Sequence, residues 1–149
     1  MSITLIEPHG GRLVNLLADS SDFSALKDES NEYPSWTLTD RQICDLELLL
    51  NGAFSPLNGF MAQEDYQSVL ESMRFADSIL WPIPITLDVS DKFAGKIKGG
   101  EKITLRDKEG FSLAILTVSD IWQPDFEKEA FAVYGTTDTT HPAVNYLFN

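Results

Sequence analysis

The chain is poor in the residues that most often carry chemistry. It has one cysteine, two histidines, and 11 basic residues against 23 acidic ones. A lone cysteine, Cys44, excludes an intrachain disulfide and suits a reducing compartment such as the cytoplasm. Cys44 falls within a predicted helix beside Ile43 and Leu46, which marks it as structural. There is no His-x-x-x-His pair and no second cysteine, so a zinc site from this chain alone is not expected. A Ser-His-Asp triad would have to use His9 or His141, and the spacing favours neither. Phosphate loops of the Gly-x-x-x-x-Gly-Lys-Ser/Thr or Gly-x-Gly-x-x-Gly kind are missing. No apolar run reaches the ~20 residues of a membrane span. The first residues lack the basic start and apolar stretch of a signal peptide. The formal net charge is −12, and the lysines are scattered, as at Lys92, Lys96, Lys98 and Lys102. Phosphate contacts supply most of the affinity in nucleic-acid binding, so this composition argues against nucleic acid as a partner. Anions such as ATP or sulfate would also be repelled on average, although local fields can overrule the mean.

What is present is a core. The 149 residues are 43% hydrophobic and include nine Phe and three Trp, enough for one domain. The pattern centres on residues 45–61. A helical run Asp45-Leu46-Glu47-Leu48-Leu49-Leu50 reaches Gly52, and an irregular segment follows. There Ser55-Pro56 and Asn58-Gly59 force turns between Phe54, Leu57, Phe60 and Met61. A connection with four large apolar side chains must fold back and pack, which predicts a core-forming elbow.

Ahead of it, alternation of Ile3 and Leu5 predicts a short strand, and Gly10-Gly11 a turn. His9 is open to two readings, a ligand or acid/base, or a turn histidine bonded to backbone. Residues 19–35 are acidic and polar and read as a solvated connector with one helical turn around Phe23 and Leu26. Tyr33 and Trp36 would anchor its return. Thr39-Asp40-Arg41-Gln42 fits a capping box, and Ile43, Leu46, Leu49 and Leu50 recur at helical spacing, predicting a helix over 40–51 closed by Gly52. A second helix is expected over 63–73, with Tyr66, Val69, Leu70 and Met73 as its buried stripe and Arg74 near its end.

Residues 79–89 read as a strand interrupted by Pro82 and Pro84. Ile103 and Leu105 mark another strand, Asp107-Lys108-Glu109-Gly110 a hairpin loop, and residues 111–122 a long strand, apolar on both faces, that is central or bent. Asp125 is a plausible N-cap for a helix carrying Phe126, Ala130, Val133 and Tyr134 on one face and closed by Gly135. Pro142 fits the first turn of a further helix over 143–147.

The one polar cluster with site-like character is Thr136-Thr137-Asp138-Thr139-Thr140-His141. Small hydroxyls and backbone N–H groups at a helix start can hold an anion. The competing structural account is that Asp138 and the threonines cap the helix near Pro142 while His141 bonds locally.

Several of these stretches resemble the amino-terminal domain of ATP sulfurylase (sulfate adenylyltransferase). Similar segments in that family are Pro-His-Gly-Gly near the start, Asp-Leu-Glu-Leu-Leu followed by Gly-x-Phe-Ser-Pro-Leu-x-Gly-Phe-Met, and Trp-Pro-Ile-Pro-Ile-Thr-Leu-Asp-Val. A Leu-Ala-Ile-Leu-x-Val-x-Asp-Ile stretch and a closing Gly-Thr-Thr/Ser-Asp-x-x-His-Pro complete the likeness. It covers nearly the whole chain apart from the acidic connector. Where many members have a glycine before the Trp-Pro segment, this chain has Ala76-Asp77-Ser78.

The resemblance implies an α+β, PUA-like pseudo-barrel, a bent and mostly antiparallel sheet with packed helices, forming a single domain over 1–149. It also implies a link to sulfate assimilation, in which the full enzyme converts ATP and sulfate to adenosine 5′-phosphosulfate and pyrophosphate with Mg. The family's catalytic signature, Gln-x-Arg-Asn-Pro-x-His and its partners, does not occur here. The implied role is therefore a non-catalytic scaffold for a catalytic domain in cis or in trans, within a full enzyme that can be a homo-oligomer. Gly135, Thr136, Thr137, Asp138, His141 and Pro142 then become interdomain candidates. A stand-alone PUA-like binding module, or an enzyme with an unseen site, are the other expectations.

Overall fold

A computed structural model describes residues 5–149, and its backbone gathers into two compact units. The first comprises the described chain up to Phe60 together with Leu87–Asp120; the second comprises Met61–Thr86 and Ile121–Asn149. Among the described residues, no helix is long and apolar enough to cross a membrane.

The first unit holds α1 (Phe23–Glu29), β1 (Ser35–Thr37), α2 (Asp40–Leu50), α4 (Asp91–Ala94), β2 (Lys102–Arg106) and β3 (Ser112–Thr117). Helix α2 starts where its capping box dictates. The Thr39 hydroxyl accepts from the Gln42 N–H at 3.3 Å, and Gln42 Oε1 accepts from the Thr39 N–H at 3.1 Å. The buried Gln42 amide also donates to Asp88 O at 2.7 Å, so one cap residue ties α2 to the segment before α4.

The sheet has the order β1-β2-β3. β1 runs parallel to β2, with Ser35 opposite Thr104, and β2 pairs antiparallel with β3, with a register shift between Leu105 and Arg106. Ile103, Thr104 and Leu105 are fully buried, so β2 is the central strand. Leu38, Leu46, Ile97 and Val118 complete the cluster around it. α+β is therefore the class, as expected. The sheet is mixed and not closed, because the segment before α2 adds a parallel strand.

The elbow after α2 packs as predicted. Leu57 and Met61 are buried, and Phe54 and Phe60 are half-buried. Gly52 adopts φ +85°, and a Cβ built there would lie 2.6 Å from Val14 O. This close approach lets residues 14–16 dock on the end of α2. The Val14 N–H donates to the buried Ser55 Oγ at 2.9 Å, Ser55 Oγ donates to Gly52 O at 2.6 Å, and the Leu16 N–H donates to Leu50 O at 3.0 Å.

Other expectations are corrected. The strand predicted from Ile3 and Leu5 lies at Ile3 outside the described residues, and from Leu5 onward no strand forms before β1. The acidic connector is exposed through much of its length but docked from Ser30 on. The Thr104 hydroxyl donates to Ser30 O, Ser30 Oγ lies 2.8 Å from Ser112 Oγ, and Lys102 Nζ sits 2.8 Å from Glu29. Residues 111–122 do not make one long central strand. β3 ends at Thr117, since β2 begins only at Lys102 and the Gly99-Gly100 turn leaves nothing for later residues to pair with. Cys44 is exposed on α2, facing away from the stripe that buries Leu46 and Leu49.

The second unit holds α3 (Gln63–Ser72), α5 (Phe126–Tyr134) and α6 (Pro142–Phe148). In α3, Tyr66 and Val69 are buried as expected, but Met73 is a left-handed C-cap at φ 53° and is exposed. Arg74 donates to Ser78 O at 2.9 Å and so serves the following turn rather than the helix end. Residues 79–89 form no ladder. Apart from one bridge between Arg74 and Leu80, the segment is irregular among the described residues. Pro82 and Pro84 lack the N–H a strand interior must donate. Phe75 stacks on Trp81 with centroids 5.0 Å apart.

Candidate functional site

The polar cluster of the sequence occupies the turn between α5 and α6. The Asp125 carboxylate accepts from the Lys128 N–H at 3.0 Å, which starts α5 where the capping preference places it. The helix stops at Gly135, left-handed at φ 71°, whose N–H donates to Phe131 O at 3.0 Å. Helix α3 flanks α5 on one side. The Tyr66 hydroxyl reaches Glu129 at 2.7 Å, and Lys128 pairs with Glu71 at 3.2 Å. α6 flanks it on another, with Ala130 and Val144 fully buried and Phe126 edge-on to Phe148 at 6.3 Å.

Within the turn, the Thr136 hydroxyl accepts from the Asp138 N–H at 3.1 Å, and Asp138 Oδ1 accepts from the Thr140 N–H at 2.8 Å. That backbone donor, then the Thr140 hydroxyl, holds the Asp138 carboxyl below its ordinary range. The His141 N–H donates to Asp138 O at 3.0 Å, and His141 O receives the Asn145 N–H at 2.9 Å. The His141 ring lies against Tyr134, centroids 5.3 Å apart and planes tilted 33°.

So the structure gathers Gly135, Thr136, Thr137, Asp138, His141 and Pro142 into one exposed turn, but not as a helix cap. His141 occupies the N-cap of α6 and offers no side-chain bond to it, while Asp138 fastens the turn to itself. Pro142 takes the first helical position, where its missing N–H costs nothing. The contact between Tyr134 and His141 was not foreseen. Seven residues separate the two rings, and only the turn's path brings them together.

Elsewhere the titratable groups do structural work. Burial raises the Asp45 carboxyl, against the lowering pull of Arg41, whose Nε stands 3.9 Å from it. His9 lies in an exposed 3-10 turn at His9–Gly11. Among the described residues, no group of three or more His, Cys, Asp or Glu side chains is arranged to hold a metal ion.

The model of the PUA-like domain family matches residues 6–149. The chain belongs to that family. PUA-like relatives of known name are sulfate adenylyltransferases. That of Neosartorya fischeri is 52% identical over 146 residues, covering 95% of this chain and 25% of its own length. That of Kluyveromyces lactis is 52% identical over 144 residues, covering 95% of this chain and 28% of its own. The matched part is the amino-terminal portion of these proteins, and this chain spans about a quarter of their length. A solved structure, a hexameric APS kinase from Thiobacillus denitrificans, superposes with a TM-score of 0.73 at 46% identity, over 80% of this chain and 24% of that one.

Proposed function

We propose that this PUA-like domain is the non-catalytic scaffold of a sulfate adenylyltransferase, the enzyme that joins ATP and sulfate into adenosine 5′-phosphosulfate and pyrophosphate. The observation that carries this is the 52% identity to the amino-terminal quarter of proteins bearing that name. The residues agree. Adenylyl transfer needs cationic groups and donors converging on the α-phosphate. The candidate turn offers threonines, one carboxylate engaged by Thr140 and one histidine leaning on Tyr134. ATP and Mg are accordingly bound by the partner portion, in cis or in trans.

In this reading residues 1–149 act as one domain in the cytoplasm, and the turn 135–142 meets the catalytic portion. A homo-oligomer of the full enzyme is in keeping with the hexameric neighbour. The test has two arms. The purified chain should release no pyrophosphate from ATP and sulfate, and sustained turnover would refute the scaffold role. The catalytic portion of the Kluyveromyces lactis enzyme, made separately, should bind the wild-type chain and bind Asp138→Ala more weakly. Equal affinity would remove the turn from the interface.

A further inference from the structure

We propose that Phe131, with Tyr134 and His141 beside it, is the apolar centre of the surface that receives the catalytic portion, and that the threonine turn is its polar rim; this rests on the scaffold function proposed above. Phe131 is 67% exposed on a helix whose neighbouring Ala130 is completely buried. It lies three residues before Tyr134 and therefore on the same helical face. The Tyr134 ring continues into the His141 ring at 5.3 Å, and Gly135 N–H to Phe131 O fastens the start of the turn to the same strip.

The strip is also low in charge. Lys128 and Glu129 of α5 are drawn toward α3 by Glu71 and Tyr66, and the Asp138 carboxylate is engaged by the Thr140 N–H. In a chain of net charge −12, an aromatic strip next to exposed threonines has the make-up of an interface centre, where charge is depleted and aromatics are enriched. The occupant follows from chain order. In the named relatives the matched portion is amino-terminal, so their remaining length continues beyond the counterpart of α6. α6 packs on α5, with Phe148 against Phe126, and the continuation starts beside this strip. A tethered partner meets nearby surfaces at high effective concentration.

The experiment measures binding of the separately made Kluyveromyces lactis catalytic portion to the wild-type chain, Phe131→Ala, Phe131→Glu and a control, Phe111→Ala. Phe111 is 69% exposed in the other unit. Truncating a central aromatic anchor should raise Kd by roughly thirtyfold, Phe131→Glu should do so at least as strongly, and the control should stay within about twofold. All variants should keep the wild-type melting temperature when alone, since the side chain is exposed; a Phe131 variant that unfolds would show the ring to be core and overturn the assignment. Wild-type binding with Phe131→Ala equally tight refutes the anchor but leaves the scaffold function standing. No wild-type binding refutes both. A wild-type dimer that Phe131→Ala dissolves in sedimentation would give the strip to a second copy and overturn the proposal.

Discussion

Gly52→Ala tests whether the elbow after α2 is built on a close backbone approach. Alanine at φ +85° carries a left-handed strain of about 1–2 kcal/mol. Its Cβ would also stand 2.6 Å from the Val14 carbonyl oxygen, a backbone atom that cannot swing aside. Residues 14–16 must then retreat, and the buried Val14 N–H loses Ser55 Oγ, its partner at 2.9 Å. Leaving a buried donor unsatisfied costs a further ~1–3 kcal/mol. The expected loss is about 2–5 kcal/mol from these two terms together. Gly110→Ala is the internal control, because φ is +92° there but nothing lies within 4 Å of the added carbon. It should cost only the strain. Urea unfolding should show Gly52→Ala at least about 1 kcal/mol less stable than Gly110→Ala, with hydrogen exchange at the Val14 and Leu16 amides accelerated only in the former. If the two variants agree within about 0.5 kcal/mol, the contact with Val14 does not bear on stability and the argument fails.

Thr39→Ala should lose about 1 kcal/mol by removing the hydroxyl half of the capping box at α2, measurable as a lowered urea midpoint. Asp45→Asn should behave in a pH-dependent way. Burial raises the folded carboxyl above its unfolded value, so ionising it disfavours the folded state as pH rises past the unfolded pKa. The amide should therefore melt higher than wild type near neutral pH, and the gain should vanish in acid, where Asp45 is already protonated; a gain equal at both extremes would assign the effect to something other than its charge.

The helices were legible because their determinants are local. Thr39 and Gln42, three residues apart, start α2, Asp125 starts α5, and Gly52 and Gly135 end them through single backbone conformations. The hairpin loop at Asp107–Gly110 was legible for the same reason, Gly110 taking φ +92°. The sheet was not. β1 is three residues long and pairs with a strand far along the chain, so nothing near Ser35–Thr37 announces it. The apolar alternation over residues 79–89 points to a strand, but two prolines and the lack of a continuous partner leave it irregular. The candidate turn was found by composition, while its inner bonding and the ring contact with Tyr134 were not.

The order of residues alone determined which segments coil, where they begin and end, how acidic the surface is, and the kinship with sulfate adenylyltransferases. These depend on side chains within about one helical turn, or on letters compared one by one. Tertiary structure decided that β2 is central, that Ser30 is docked while Cys44 is not, and that Phe131 is left facing outward beside Tyr134 and His141. Burial belongs to the packed chain and not to the residue: a phenylalanine reads the same in a sequence whether a neighbour covers it or not.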